Sequence, residues 1–133
     1  LIKKEGKPME GVLDAIEEAK SKNIKLGLAS SSSMKIIETV LEKLNIKSYF
    51  EAIHSAEHEE FGKPHPQVFI SAAQSLGTLP ENCLVIEDSL NGVIAAKAAK
   101  MKVIAIPETQ EFELPQFSIA DDVLKSMKNL TLD

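Results

Sequence analysis

The chain has 133 residues, enough to bury the core of one domain spanning residues 1–133. Its hydrophobic content of 44% and charged content of 26% are ordinary for a globular protein. A net charge of −5 without a basic block argues against nucleic acid or an anionic membrane surface as a partner. The single cysteine excludes an intrachain disulfide, and no apolar stretch reaches membrane-span length, so we expect a cytoplasmic protein.

Apolar residues alternate between helical and strand spacing along the chain. Four helices are predicted around residues 12–19, 36–44, 68–76 and 93–99, the third of them closed by Gly77. Strands are predicted at 24–29, 52–55, 83–86 and 102–107, and residues 119–130 hold one short strand and a last helical turn. This order predicts an α/β fold, with a mostly parallel sheet and helices on both faces.

The most informative stretch is the sequence Val85-Ile86-Glu87-Asp88-Ser89-Leu90-Asn91-Gly92. It places two adjacent carboxylates, Glu87 and Asp88, at the carboxyl end of a buried strand, where open α/β sheets bind ligands. Such a pair can hold a hard cation through oxygen ligands. The alternative is a helix N-terminus, with Asp88 or Ser89 as the cap and Glu87 complementing the helix dipole.

Two further segments are predicted to lie at the same edge of the sheet. Ser30 and Ser31 follow a strand and precede a helix, which is the geometry of an anion site, although the run 30–33 is also typical of a helix cap. Lys63 lies in Gly62-Lys63-Pro64-His65-Pro66, where the prolines constrain the loop and the ammonium can neutralise phosphate. A solvated surface lysine is the alternative.

Other residues with reactive side chains give weaker signals. His54, His58 and His65 do not have zinc-ligand spacing, and Cys83 fits a core position better than a nucleophile. Asp121 and Asp122 are predicted to form a solvated turn.

Taken together, the motifs at 28–32, 62–66 and 86–92 resemble those of the haloacid dehalogenase superfamily of phosphotransfer enzymes. The order, intervals and strand-end settings fit over essentially the whole chain. The strings Lys63-Pro64-His65-Pro66-Gln67-Val68 and Ala95-Ala96-Lys97-Ala98-Ala99 are similar to the β-phosphoglucomutase-like subgroup, which includes 2-deoxyglucose-6-phosphatase. The resemblance implies a Rossmann-like core and a Mg²⁺-dependent hydrolase acting on small sugar phosphates, of the hexose-6-phosphate phosphatase type.

The resemblance also implies a role for each motif residue. Ser30 would hydrogen-bond the transferring phosphoryl group, helped by the backbone N–H of Ser31. Lys63 would offset charge on the phosphate and on the nucleophile. Asp88 would bind Mg²⁺, with Glu87 assisting directly or through water. Phosphoryl transfer needs mainly such positioning and charge neutralisation.

One departure from the family pattern is important. The family's nucleophile and general acid are an Asp-x-Asp pair after an N-terminal strand, and this sequence contains no Asp-x-Asp. The helical cap that follows that strand is absent too, and we expect the chain to begin where the cap returns to the core, near Gly6-Lys7-Pro8-Met9-Glu10-Gly11. We therefore expect the C-terminal portion of a hydrolase that is completed by a missing N-terminal segment. Its strand would lie between the strands ending at Ala29 and Ile86.

By itself, the 133-residue chain is predicted to have no phosphatase turnover. A sugar-phosphate mutase of the same family is an alternative, although Met34 after the serines favours a phosphatase. A non-catalytic remnant that binds phosphorylated ligands is another. A nucleotide-binding domain is disfavoured because no glycine-rich loop follows any strand.

Overall fold

The computed structural model describes residues 11–107 and 114–130. The helices are α1 (Val12–Ser21), α2 (Met34–Leu44), α3 (Gln67–Leu76) and α4 (Leu90–Ala98). The strands are β1 (Gly27–Ser30), β2 (Ala52–Ser55), β3 (Leu84–Glu87), β4 (Lys102–Ala105) and β5 (Asp122–Val123). The predicted α/β alternation is confirmed. None of the helices in these two ranges has the length and apolar character needed to cross a membrane.

The strands form two separate parallel sheets. In the first, β1 pairs with β2, with Gly27 opposite Ala52. In the second, β4 lies between β3 and β5, with Leu84 opposite Lys102. As expected, no strand within the described ranges joins β1 to β3. The two strands line a common groove of about 510 Å³ instead.

Helix α3 packs against β1 and β2 of the first sheet, and α4 packs against β3 and β4 of the second. Val68 of α3, Val93 of α4 and Val103 of β4 are completely buried in one cluster. Val12 of α1 and Leu41 of α2 belong to a second cluster. Full burial of such a side chain contributes about 1.5–3 kcal/mol. Because these apolar contacts fix the strands, the strand ends have defined positions.

Helix α4 packs closely because its inner face is made of small residues. Ala95 and Ala96 have no solvent exposure, and Gly92 is buried in the first turn. Short side chains let a helix approach a sheet closely. This brings the start of α4, and the residues just before it, next to the end of β3.

The observed element boundaries differ from the predicted ones for identifiable reasons. Strand β1 begins at Gly27 and not at Ile24, because the Ile24 N–H donates to Ala19 O at 2.9 Å in the turn that ends α1. Strand β3 is shifted by one residue and includes Glu87 as its last member. The turn predicted at Asp121 and Asp122 is wrong, since Asp122 begins β5.

The remaining expectations concern the two ends of the chain. The last helical turn is confirmed as the 3₁₀ segment Met127–Asn129. The return of the cap to the core, expected near Gly6 to Gly11, lies almost entirely outside the described residues.

Candidate active site

A cleft of about 450 Å³ opens between the carboxyl ends of β1 and β3. It is lined by all five residues singled out in the sequence, namely Ser30, Ser31, Lys63, Glu87 and Asp88. The fold therefore gathers three segments that are distant in the sequence, as predicted.

The serine loop, residues 30–33, forms one side of this cleft. Ser33 is the N-cap of α2, and its Oγ accepts from the Ile36 N–H at 3.4 Å. Ser30 has a different role: its Oγ accepts from the Ser32 N–H at 3.1 Å. A hydroxyl that accepts this bond still has a proton to donate. The capping alternative therefore describes Ser33, while Ser30 and Ser31 line the cleft.

Two residues that the sequence analysis missed, Ser55 and Glu57, hold the serine loop in place by hydrogen bonds. Ser55, at 1% exposure, donates its hydroxyl to Ser32 O at 2.6 Å and accepts from the Glu57 N–H at 3.1 Å. The carboxylate of Glu57 accepts from the Met34 N–H at 2.8 Å, at the first residue of α2. No local pattern marks Ser55, but it stands opposite Ser30 in the parallel pairing of β1 and β2.

The Lys63 side chain is held inside the cleft, which excludes the alternative that Lys63 is a solvated surface residue. The peptide bond between Lys63 and Pro64 is cis. The Lys63 ammonium donates to Glu87 Oε2 at 2.8 Å and to Ala29 O at 3.2 Å. It also lies 4.8 Å from the ring centroid of Phe69. With its side chain only 8% exposed, Lys63 presents a fixed positive charge to the cleft.

Glu87 forms the other half of this buried pair. While Oε2 is bound to Lys63, Oε1 accepts from the Asp88 N–H at 3.2 Å and from Ser89 Oγ at 3.3 Å. Ser89 is also the N-cap of α4, and its Oγ accepts from the Gly92 N–H at 3.0 Å. The cap is therefore Ser89 and not Asp88, and Glu87 is a paired buried charge.

The two carboxylates at the end of β3 are suited to a small hard cation whose remaining ligands are not protein side chains. Asp88 and Glu87 both line the cleft. Over residues 11–107 and 114–130, no group of three or more histidine, cysteine or acidic side chains surrounds a common point. Mg²⁺ is commonly bound by one or two carboxylates together with waters and substrate phosphate. Asp88 and Glu87 are therefore the carboxylates of this cleft that could hold such a cation.

The histidines and the cysteine have contacts elsewhere in the fold. His54 Nε2 lies 2.7 Å from Ser75 Oγ, and the ring of His65 stacks on Phe61 with centroids 4.7 Å apart. Cys83 packs against the α3–α4 core. Burial raises the pKa of the Cys83 thiol, which disfavours the nucleophilic thiolate.

Comparison with known proteins places this geometry in a family. Hexitol phosphatase B of Escherichia coli strain K12 is 40% identical over 123 residues, which are 92% of this chain and 55% of the relative. Beta-phosphoglucomutase of Bacillus subtilis strain 168 is 34% identical over 94% of this chain and 52% of the relative. The crystal structure of CbbY from Rhodobacter sphaeroides in complex with xylulose-(1,5)bisphosphate superimposes with a TM-score of 0.85. It is 30% identical, covering 92% of this chain and 55% of that one.

The chain thus spans about half the length of the curated relatives it matches. Residues 1–106 match the family described as haloacid dehalogenase-like hydrolase. The matched range contains all five candidate residues of the cleft. The chain belongs to the haloacid dehalogenase-like hydrolase family.

Proposed function

We propose that this chain supplies the phosphate-binding and metal-binding part of a Mg²⁺-dependent phosphatase for small sugar phosphates. The observation that carries the proposal is the meeting of Ser30, Lys63, Glu87 and Asp88 in one cleft. Hydroxyl and backbone donors, a fixed ammonium and a carboxylate pair are the groups that phosphoryl transfer needs. Similarity to hexitol phosphatase B supports a phosphorylated sugar or polyol as substrate.

Each residue has a defined task in this proposal. Ser30 Oγ and the Ser31 N–H donate to the phosphoryl oxygens. Lys63 offsets the negative charge of the phosphoryl group, and its bonds to Glu87 and Ala29 mean that little reorganisation is needed during the reaction. Mg²⁺, when bound, would neutralise phosphoryl charge. Asp88 would hold the ion, with Glu87 assisting directly or through water.

The nucleophile of this reaction comes from outside the 133 residues, which contain no Asp-x-Asp. The groove between β1 and β3 is suited to the strand that carries it. Its walls are largely apolar, and β1 and β3 each have only one strand partner among the described residues. Unpaired strand edges readily accept another strand. We infer that a segment N-terminal to this domain occupies the groove and completes the sheet.

The test compares the 133-residue chain with a chain extended upstream through the natural coding sequence. Each is assayed for phosphate release from hexose and hexitol phosphates, with Mg²⁺ and with chelator. We expect no turnover from the short chain and Mg²⁺-dependent turnover from the extended one. Turnover by the short chain, or none by the extended chain on any sugar phosphate, contradicts the proposal.

A pair of matched substitutions locates the activity in the cleft. In the extended chain, Asp88→Asn removes the charge that holds the cation and should lower kcat/KM by about 100-fold or more. Asp14→Asn makes the same change on the exposed face of α1 and should leave the activity as it was. Equal effects of the two variants would place the metal elsewhere.

A sugar-phosphate mutase is the second candidate, because beta-phosphoglucomutase is among the relatives. One contact favours hydrolysis: the Met34 N–H after the serine loop is already bound to Glu57 and cannot bind a second phosphate. Product analysis separates the two functions, since a phosphatase releases inorganic phosphate and a mutase returns an isomeric sugar phosphate. Ligand binding without either product would indicate a non-catalytic domain.

A further inference from the structure

Gly92 lies directly beneath the side chain of Glu87. A Cβ atom built on Gly92 would stand 2.0 Å from Glu87 Cδ, 2.1 Å from Cγ and 2.3 Å from Oε2. These distances leave no room for any side chain while Glu87 keeps its place. Gly92 lies in the first turn of α4 and has ordinary helical backbone angles. At such a position a helix with glycine is less stable than one with alanine. The glycine is therefore required for space and not for backbone conformation.

The space left by Gly92 holds the carboxylate that binds Lys63. Glu87 lies against Gly92, accepts from Ser89 Oγ, and pairs with Lys63 at 2.8 Å. Glu87 is only 4% exposed, so a Cβ at Gly92 would displace its carboxylate from a buried position. If the carboxylate moves away, Ala29 O and the ring of Phe69 are the partners that the Lys63 ammonium keeps among the described residues. A neutral carbonyl and a ring hold an ammonium less firmly than a carboxylate does.

We propose that Gly92 is a positioning residue for the reaction. Because Gly92 has no Cβ, the Glu87 carboxylate can lie where it binds Lys63, and this contact fixes Lys63 in the cleft. Gly92 touches neither the phosphoryl group nor the cation in this scheme. Its effect passes entirely through Glu87. The relevance to catalysis depends on the proposed function, but the seating of Lys63 can be measured without it.

The test measures how fast Lys63 is acylated by a water-soluble N-hydroxysuccinimide ester, using peptide mass spectrometry on the full chain. Lys47, whose side chain is 48% exposed, serves as the internal reference. Wild-type Lys63 should react slowly because it is buried and paired. In Gly92→Ala, we expect its rate relative to Lys47 to rise about tenfold. An unchanged rate overturns the proposal.

Gly62→Ala is a stringent matched control because Gly62 is the immediate neighbour of Lys63. A Cβ at Gly62 would meet only Ala56 Cβ, at an ordinary contact distance of 3.6 Å. This variant should leave the labelling of Lys63 unchanged. A rise as large as that in Gly92→Ala would show that any alanine near the loop loosens it, and would overturn the proposal.

A double-mutant cycle separates seating from general loss of structure. Glu87→Ala should itself raise the labelling of Lys63, and Gly92→Ala should add nothing further in that background. If Gly92→Ala unfolds the chain, it should not destabilise the Lys63→Met/Glu87→Ala background further, because neither the clashing carboxylate nor an unpaired ammonium is present there. An equal effect of Gly92→Ala with and without Glu87 contradicts the seating role.

Failure of this proposal can be told apart from failure of the proposed function. Suppose that the labelling of Lys63 changes as described but the extended chain releases no phosphate. Then Gly92 does position Lys63 through Glu87, and the phosphatase assignment is wrong. If the extended chain is active while labelling is insensitive to Gly92, only the positioning role is wrong. In the active chain, Gly92→Ala should lower kcat more than it raises KM, as expected when a transition-state contact is displaced.

Discussion

The two sides of the cleft are built by different means. On the β3–α4 side, a charge pair is buried: the Lys63 and Glu87 side chains are 8% and 6% exposed. On the β1–α2 side, the serine loop remains open to solvent, with Ser31 exposed, and its support comes from the buried Ser55 beneath it. The difference follows from the chemistry. A charge that must not move benefits from burial and pairing, whereas the donors that we propose for a phosphate must stay accessible.

The largest expected effect comes from breaking the buried pair. Lys63→Met leaves the Glu87 carboxylate buried without its cation, and should lower the free energy of unfolding by about 3–5 kcal/mol. Urea denaturation measures this change. In Lys63→Met/Glu87→Leu, with an apolar pair in place of both charges, most of the loss should be recovered. A loss below about 1 kcal/mol in the single variant would mean that the Lys63–Glu87 pair stabilises the fold no more than a surface salt bridge does.

A smaller effect is expected on the opposite side of the cleft. Ser55→Ala removes the buried hydroxyl that serves both Ser32 O and the Glu57 N–H, so both backbone groups lose this partner. The free energy of unfolding should fall by about 1–3 kcal/mol. Ser48→Ala, which removes an exposed hydroxyl from the 3₁₀ segment Lys47–Tyr49, should change it by less than about 0.5 kcal/mol. Similar values for the two serines would show that Ser55 does not support the loop.

The helix caps offer a finer comparison of the two sides. Ser89 caps α4 with a 3.0 Å bond to the Gly92 N–H, whereas Ser33 caps α2 with a longer 3.4 Å bond to the Ile36 N–H. Ser89 also contacts Glu87. We expect Ser89→Ala to cost about 1 kcal/mol and Ser33→Ala about half of that. Thermal denaturation of both variants at one pH gives the comparison, and the reverse order would contradict the assigned roles.

The smallest expected effect lies at the far edge of the second sheet. The Val103 N–H at 2.8 Å and Lys97 Nζ at 3.0 Å hold the pKa of Asp121 below its ordinary value. A lowered pKa in the folded state adds stability above the carboxyl's usual pKa, and this is lost as pH falls through the lowered value. Because Asp121 is exposed, solvent screens the effect.

Acid denaturation of Asp121→Asn checks this contribution. The amide keeps an acceptor for the Val103 N–H but cannot titrate, so stability should fall less steeply below about pH 4 than in the wild type. Asp14→Asn, which removes one charge from the exposed face of α1, should retain the wild-type slope. If wild type and Asp121→Asn lose stability identically as the pH falls, protonation of Asp121 is not linked to unfolding.

The sequence was sufficient for the parts of the fold that depend on local periodicity. Apolar spacing located the helices, and Gly77 was correctly placed as the C-cap of α3, with φ at 67°. The strand ends also followed, because a polar residue after a buried run marks the edge of a sheet. This is why Ser30 and Asp88 could be named before the structure was known. Their chemical roles and the one-domain organisation stay predictions.

What could not be predicted depends on partners far apart in the chain. That Glu87 pairs with Lys63 requires the loop to cross to β3, and nothing in either segment encodes the distance between them. The role of Ser55 arises only from its register opposite Ser30. Ser89 and Asp88 are both good N-caps by type, and only the hydrogen bond to the Gly92 N–H decides between them. Local sequence proposes these groups, and tertiary packing selects among them.

Leu28, Ala29 and Glu87 line both the groove between the sheets and the cleft. A segment bound in the groove and an anion bound in the cleft would both be bordered by these three residues, so we expect the two binding equilibria to be coupled. Coupling of this kind is reciprocal: the factor by which the segment raises affinity for phosphate is the factor by which phosphate raises affinity for the segment. A substrate of this cleft would then also act as a folding ligand, tightening the sheet beside which it binds.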